Sequence, residues 1–179
     1  SAISLKAQIT ERPHHTLRTG VSLAGYGWGG QAVFSLSAEY SYKLNGWIAV
    51  TPRLMTGYRM IGDILPNYDD FGAFHASLSA TFTPLHRWAK WFKVGVGGVY
   101  SNLRSNYGME YHLPIGGGEE RAHVDRMTKN LFGFIFVLSF DIYSTDRIEL
   151  GVRYDMITSF DKVFTCESNQ GSIYFGVKF

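Results

Sequence analysis

A histidine and a serine two residues apart are the pair with the clearest catalytic potential in this sequence. His75 and Ser77 lie in a stretch of alternating apolar and polar residues. Side chains at positions i and i+2 of a strand share one face, so the histidine could take the hydroxyl proton and make the serine a nucleophile. The same row carries Ser79 and Thr81, however, and the strand predicted next offers no obvious acid beside the pair. We therefore interpret His75 and Ser77 as members of a polar row.

The other residues that could carry chemistry do not form a recognisable motif. Asp69 and Asp70 are adjacent carboxylates in a polar stretch, which is typical of a solvated loop tip. The glycine run 116–118 does not follow a strand and open a helix, as a phosphate-binding loop does. The single cysteine, Cys166, cannot form an internal disulfide.

The histidines outside the predicted strands have no metal-ligand spacing. His14 and His15 are adjacent, and His112 and His123 lie far from them in the chain, without an H-x-x-x-H pattern. We assign no catalytic residue, no metal site and no cofactor, and we expect a protein that is not an enzyme.

The composition favours strands and turns in a single domain. The chain has 179 residues, with 16% aromatic residues and 20 glycines. No window approaches 18 consecutive apolar residues, which excludes a transmembrane helix. The net charge of +2 is too small to argue for a nucleic-acid partner.

Alternation of apolar and polar residues predicts eight strands, preceded by a leader over residues 1–15 that we place in the periplasm. The strands are expected over 17–26, 31–44, 47–58, 71–83, 91–102, 128–143, 147–157 and 170–179. Asn45-Gly46 is a strong hairpin signal, and Pro52 inside the third strand argues for a bulge or bend. After the first connection, short links alternate with longer ones, of which 103–127 is the longest irregular stretch.

The two faces of the predicted strands differ sharply in charge. One face carries unbroken apolar rows such as Phe134, Phe136 and Leu138. The opposite face carries the ionisable residues Arg18, Glu39, Lys43, Arg53, His75, Lys93, Asp141, Glu149, Arg153, Asp155 and Lys178. Sheets in lipid cannot leave an open edge, because unpaired backbone groups there are costly, so such strands must close into a barrel.

Aromatic residues at the strand ends indicate which face meets lipid. Trp47, Trp88, Trp91, Tyr143 and Phe179 are expected at one rim, and Tyr26, Trp28, Tyr58, Phe71, Tyr100 and Tyr154 at the other. Two aromatic girdles are typical of a membrane-spanning barrel with its apolar rows outside. We therefore predict an all-β fold, an eight-stranded antiparallel up-and-down transmembrane β-barrel over residues 16–179. Its lumen should be filled by ion pairs.

Strand number, loop alternation and the terminal I-Y-F-G-V-K-F resemble the small bacterial outer-membrane barrels of the OmpA and OmpX type. The resemblance is architectural and covers residues 16–179. It implies residence in the bacterial outer membrane with both termini in the periplasm, and a last strand similar to the signal that barrel-assembly machinery recognises. It carries over no functional residue.

Within such barrels, we expect a non-enzymatic, structural or interaction role. The protein would act through extracellular loops, above all 103–127, or as a small subunit of a larger outer-membrane protein complex. Its expected partners are outer-membrane lipid and lipopolysaccharide, with no nucleic acid. One alternative is a lipid-modifying hydrolase, because the spacing of His75 and Ser77 is similar to that of a lipid A deacylase family. Another is a small-solute pore. Asp69-Asp70 also resembles the paired carboxylates of outer-membrane proteases, which have a wider barrel.

Overall fold

Eight antiparallel strands close into a barrel. The computed structural model describes residues 14–26, 31–58, 71–84, 90–107, 125–160 and 165–179. The strands are β1 (His15–Tyr26), β2 (Gln31–Lys43), β3 (Ile48–Tyr58), β4 (Phe71–Phe82), β5 (Phe92–Tyr107), β6 (Asp125–Ser144), β7 (Ile148–Ser159) and β8 (Thr165–Lys178). Each strand pairs with the next in sequence, and β1 pairs with β8, so the up-and-down barrel is confirmed.

The last residue of the chain closes this sheet. The backbone N–H of His15 donates to the carbonyl oxygen of Phe179 at 3.1 Å, and the N–H of Phe179 donates to that of His15 at 3.0 Å. β1 thus begins two residues before its predicted start. Residues 1–13 of the predicted leader lie outside the described part of the chain.

Three strands extend three or more residues beyond their predicted bounds, all at the same end of the barrel. β5 runs to Tyr107 and β6 starts at Asp125, with these two residues paired, so the predicted irregular stretch 103–127 is partly strand. β8 likewise starts at Thr165 rather than at residue 170. The apolar rows end before these strands do. Beyond that point the alternation of apolar and polar residues no longer indicates a strand, although the backbone pairing continues.

Two local predictions about β3 need correction. The register between β2 and β3 is the same on both sides of Pro52, as the pairs Tyr42 with Val50 and Glu39 with Arg53 show, so the proline causes no bulge. The pairs that include Pro52 and its neighbour Thr51 are missing from this ladder, because proline has no N–H to donate. The hairpin at Asn45 spans residues 44–47 rather than two residues alone.

Apolar side chains cover the outside of the barrel and polar ones fill much of its interior. The outward side chains that are at least half exposed include Leu17, Leu23, Leu36, Leu54, Leu78, Phe132, Ile142 and Ile173. The buried polar side chains include Glu39, Arg53, His75, Glu149, Arg153, Asp155 and Gln170. A barrel in water has the reverse arrangement, so the predicted transmembrane polarity is confirmed. None of the described residues forms a helix long and apolar enough to span a membrane.

The predicted aromatic girdles are correct for several of the described residues and wrong for two. Trp47, Trp91 and Tyr143 are exposed at one rim. Tyr26 and Phe71, expected at the other rim, are buried, and their rings pack 4.8 Å apart between centroids. Both lie on the inward rows, where they close the lumen instead of meeting lipid. Trp28 and Trp88 lie outside the described residues.

Candidate functional site

The interior of the barrel holds a chain of ion pairs that runs between opposite walls. Glu39 accepts hydrogen bonds from both Arg18 and Arg153. Asp155 accepts from Arg53 and, at 2.7 Å, from Nε of Arg153. Register sets part of this arrangement, since Glu39 on β2 lies opposite Arg18 on β1 and Arg53 on β3. The predicted lumenal ion pairs are confirmed by these contacts.

A second group of ion pairs continues this chain toward the short-turn end. Glu149 accepts from Arg18, and its Oε2 lies 3.2 Å from Nζ of Lys178. Lys93 Nζ lies 2.7 Å from Oδ2 of Asp141. Because these side chains are buried or nearly so, the pairing compensates charges that would be costly alone.

Tyr174 fills the space beside this second group. Its hydroxyl donates to Oδ1 of Asp141 at 2.5 Å, and its ring lies 5.5 Å from the guanidinium carbon of Arg18. Gly151 lies directly opposite on β7, and a Cβ there would meet the tyrosine Oη at 2.4 Å. Because Gly151 has no side chain, the ring of Tyr174 can lie over the backbone of β7 at this point.

A hollow opens at the short-turn end, next to these pairs. It has a volume of about 620 Å³ and is lined on its basic side by Lys43, Lys90, Lys93 and Lys178, facing Asp141, Asp146 and Glu149. Among its described lining residues, four lysines face three carboxylates, and Lys93, Asp141, Glu149 and Lys178 also belong to the ion pairs described above.

His75 lies in the lumen, and both of its ring nitrogens have partners. Nε2 is hydrogen-bonded to Oη of Tyr26 at 2.8 Å, and Nδ1 to Oγ of Ser101 at 2.7 Å. The Tyr26 ring stacks on the imidazole with an interplanar angle of 9°. Ser77 is half-buried on the same strand and pairs with Arg53. Among the described residues, His75 is thus hydrogen-bonded to Tyr26 and Ser101, neither of which its spacing from Ser77 predicts.

Apolar side chains form two buried clusters in the barrel. Ala24, Tyr26, Val33, Phe71 and Ala73 form one buried cluster, against which Leu103 packs. A second buried cluster consists of Met55, Val99, Ile135, Val137 and Ile157. The lumen therefore combines the ion pairs with two apolar clusters and with buried neutral polar side chains such as Ser101, Ser159 and Gln170.

The remaining candidate residues from the sequence are placed as follows. His15 lies outside the lumen, where Nδ1 is 2.5 Å from Oη of Tyr40 and the ring stacks on Phe179. Cys166 belongs to β8 by its backbone, and its side chain is not described. The residues outside the described part of the chain are Asp69, Asp70, His112, His123 and the glycines 116–118.

No protein-family model and no curated protein sequence matches the chain. Solved structures do match it. Neisserial surface protein A is 18% identical, with 92% of this chain and 96% of that chain covered and a TM-score of 0.51. The attachment invasion locus protein Ail of Yersinia pestis is 9% identical, with 92% and 94% covered and a TM-score of 0.51.

The N-terminal β-barrel domain of OprF from Pseudomonas aeruginosa is a third similar structure. It is 12% identical, with 92% of this chain and 97% of that chain covered and a TM-score of 0.51. Identities this low carry the fold and no functional residue. The chain has the fold of the small eight-stranded barrels of bacterial outer membranes, as its resemblance to the OmpA and OmpX type implied.

Proposed function

We propose that the protein is an integral protein of the bacterial outer membrane with a non-enzymatic, structural or interaction role. The observation that carries this proposal is the polarity of the barrel. Phe134, Phe136 and Leu138 are each at least 40% exposed on the outside, while Glu149 and Arg153 are at most 7% exposed inside. An apolar exterior over a closed sheet is stable in a bilayer and prone to aggregation in water.

The lengths of the connections support an orientation with short turns in the periplasm. Residues 44–47, 83–91 and 145–147 link strands at one end, where β1 begins and β8 ends. Residues 27–30, 59–70, 108–124 and 160–164 link strands at the other end. Outer-membrane barrels keep their shorter turns in the periplasm and their longer loops outside. Both termini would then be periplasmic, and 59–70 and 108–124 would be the extracellular surface for partners.

The lumenal geometry favours a non-enzymatic role over the alternative of a lipid-modifying hydrolase. An acyl chain lies outside the barrel, whereas His75 is 2% exposed and faces inward. Its two nitrogens are engaged by Tyr26 and Ser101, so Ser77 has no free nitrogen beside it to act as base. We expect His75→Ala to leave the mass spectrum of cellular lipid A unchanged. Loss of an acyl chain that depends on His75 would support the hydrolase instead.

One experiment in cells tests both the location of the protein in the outer membrane and its binding to a partner. The full chain, expressed with an export signal, should fractionate with the outer membrane and change its gel mobility on boiling, as folded barrels do. After extraction in a mild detergent, a role as subunit or docking protein predicts a larger complex that is lost when 108–124 is replaced by a short turn. Recovery from the soluble periplasm would contradict the membrane proposal. Recovery of the bare barrel in both variants would contradict the interaction role.

A further inference from the structure

The outward row of β5 changes character at its long-loop end. After Val96, Gly98 and Tyr100, the row continues with Asn102 and Arg104. The neighbouring row of β6 shows the same change, from Phe132 to the polar Asn130 and Thr128. Among outward strand positions whose side chains the structure describes, Arg104 carries the one guanidinium or ammonium group.

A short chain of hydrogen bonds holds this arginine in place. Nε of Arg104 donates to Oδ1 of Asn102 at 3.2 Å, and Nδ2 of Asn102 donates to Oδ1 of Asn130 at 2.6 Å. The hydroxyl of Tyr100 donates to the same Asn130 oxygen at 2.9 Å. The guanidinium is exposed, and among the described residues its hydrogen bond is made through Nε, which leaves the fork of terminal N–H groups to other partners.

An open groove lies beside Arg104. Gly72 on β4 pairs with Arg104 on one side and with Tyr58 on the other, and a Cβ at Gly72 would meet no atom within 4 Å. Adjacent strands are about 4.8 Å apart, so Tyr58 and Arg104 form two walls over a glycine floor. The groove, of about 990 Å³, is also lined by Phe74 and Asn102. We call it the Arg104 groove.

The height of the groove places it at the membrane surface. Twelve residue steps separate Phe92, at the short-turn end of β5, from Arg104. At about 3.3 Å per step and a tilt of about 40°, they cover roughly 30 Å. The apolar band of such barrels is about 25 Å tall, so Arg104 lies just beyond the acyl chains while Tyr100 and Phe132 still contact them.

We propose that the Arg104 groove binds the phosphate-bearing head group of an outer-leaflet lipid, the chemistry of the lipid A part of lipopolysaccharide. The fork of an arginine matches the oxygens of a phosphate, and a cation next to a bilayer gains most from an anionic lipid. Phe74 and Phe132, directly below, give the attached acyl chains an apolar wall. The inference rests on the proposed function, because it needs the long-loop end to face the outer leaflet.

The test measures lipid A binding to the full-length barrel by native mass spectrometry from detergent micelles. We expect Arg104→Gln to weaken binding of bisphosphorylated lipid A about fivefold, the contribution of one arginine near a charged membrane surface. Gly72→Leu, which fills the floor without changing charge, should weaken it at least as much. Dephosphorylated lipid A should bind the wild-type protein and Arg104→Gln equally, and inorganic phosphate should not compete.

Two matched variants serve as controls. Arg147→Gln removes an exposed guanidinium at the opposite rim, and Gly98→Leu adds the same side chain at an equally open outward position lower on β5. Both should bind lipid A as the wild type does. Equal affinity in Arg104→Gln and wild type would overturn the proposal, as would full competition by inorganic phosphate, which would indicate a soluble anion. A wild-type barrel that fails to insert into bilayers would instead contradict the proposed function.

Discussion

At the scale of single residues, Glu39 is the side chain on which most of the interior depends. It is 5% exposed and accepts from two arginines that come from different strands. Each arginine keeps a second carboxylate, Glu149 for Arg18 and Asp155 for Arg153. Removal of the Glu39 charge takes one carboxylate from a network in which four carboxylates already face five bases, so buried positive charge is left without compensation.

We expect Glu39→Gln to lower the free energy of unfolding by about 3 kcal/mol, because breaking a buried ion pair by removal of one partner costs about 3–5 kcal/mol. Urea unfolding from lipid vesicles, followed by tryptophan fluorescence, measures the loss. The control Asp146→Asn removes a carboxylate from an exposed turn and should change little. Equal stability of the two variants would show that Glu39 is compensated by water in the lumen.

The contact between Gly151 and Tyr174 gives a second prediction at this scale. A methyl group at position 151 would meet the Tyr174 hydroxyl at 2.4 Å and the Phe140 carbonyl oxygen at 2.4 Å. We expect Gly151→Ala to cost about 1–3 kcal/mol, the usual effect of overpacking. Gly98→Ala, with nothing within 4 Å, should cost less than about 1 kcal/mol. A similar loss of unfolding free energy in Gly151→Ala and Gly98→Ala, in the same urea assay, would contradict a role for the contact with Tyr174.

Sequence patterns predicted the inward face of the charged residues within the predicted strands but not their partners. The period of two places Glu39 and Arg153 on inward rows whatever the register. Their contact depends on how the barrel closes across the lumen. His75 shows the same limit: Ser101 faces it because β4 and β5 pair in one register, which the connection 83–91 does not fix. The serine that contacts His75 is therefore Ser101 on the neighbouring strand, and the spacing of His75 and Ser77 does not predict it.

At the scale of elements, side-chain oxygens organise two of the short turns. Oδ1 of Asn45 accepts from the backbone N–H of Trp47 at 2.8 Å and of Ile48 at 2.9 Å. Oγ1 of Thr145 accepts from the N–H of Ile148 at 3.1 Å in the connection 145–147. Both side chains satisfy strand-end donors that the ladder leaves unpaired.

We expect Asn45→Ala to destabilise the barrel by about 1 kcal/mol, since it removes one acceptor shared by two backbone N–H groups. Vesicle unfolding at several urea concentrations measures this loss, and Asn45→Asp, which keeps the acceptor, should stay near the wild type. If Asn45→Asp loses as much stability as Asn45→Ala, the side-chain NH2 group and not the oxygen stabilises the turn.

The positions of the strands were predictable and several of their ends were not. The alternation of apolar and polar residues is strong where one face of a strand contacts lipid, and it predicted the positions of all eight strands. Beyond the apolar band the outward rows of β5 and β6 turn polar, so the signal fades near Asn102 and Asn130 although pairing reaches Tyr107 and Asp125. The same loss of contrast explains the early start of β8 at Thr165.

At the scale of the whole molecule, the barrel has the opposite polarity to a water-soluble protein. Its inward charges form ion pairs around the axis, and its apolar side chains form the outer surface. This arrangement is stable where acyl chains replace water, and it leaves the rims and the long connections as surfaces for recognition. Fold and polarity were predictable from the sequence because both follow from a period of two; the Arg104 groove was not, because it depends on the lateral register of three strands.

The most direct test compares two neighbouring residues on β6 in one sample. Leu138 is 42% exposed on the outside, and Val137 is 2% exposed inside. With methyl-labelled protein in lipid nanodiscs, nuclear Overhauser contacts to acyl-chain methylene protons should appear for Leu138 methyl groups and be missing for those of Val137. Contacts from acyl chains to Val137, together with contacts from water to Leu138, would contradict the claim that the outer apolar rows face lipid.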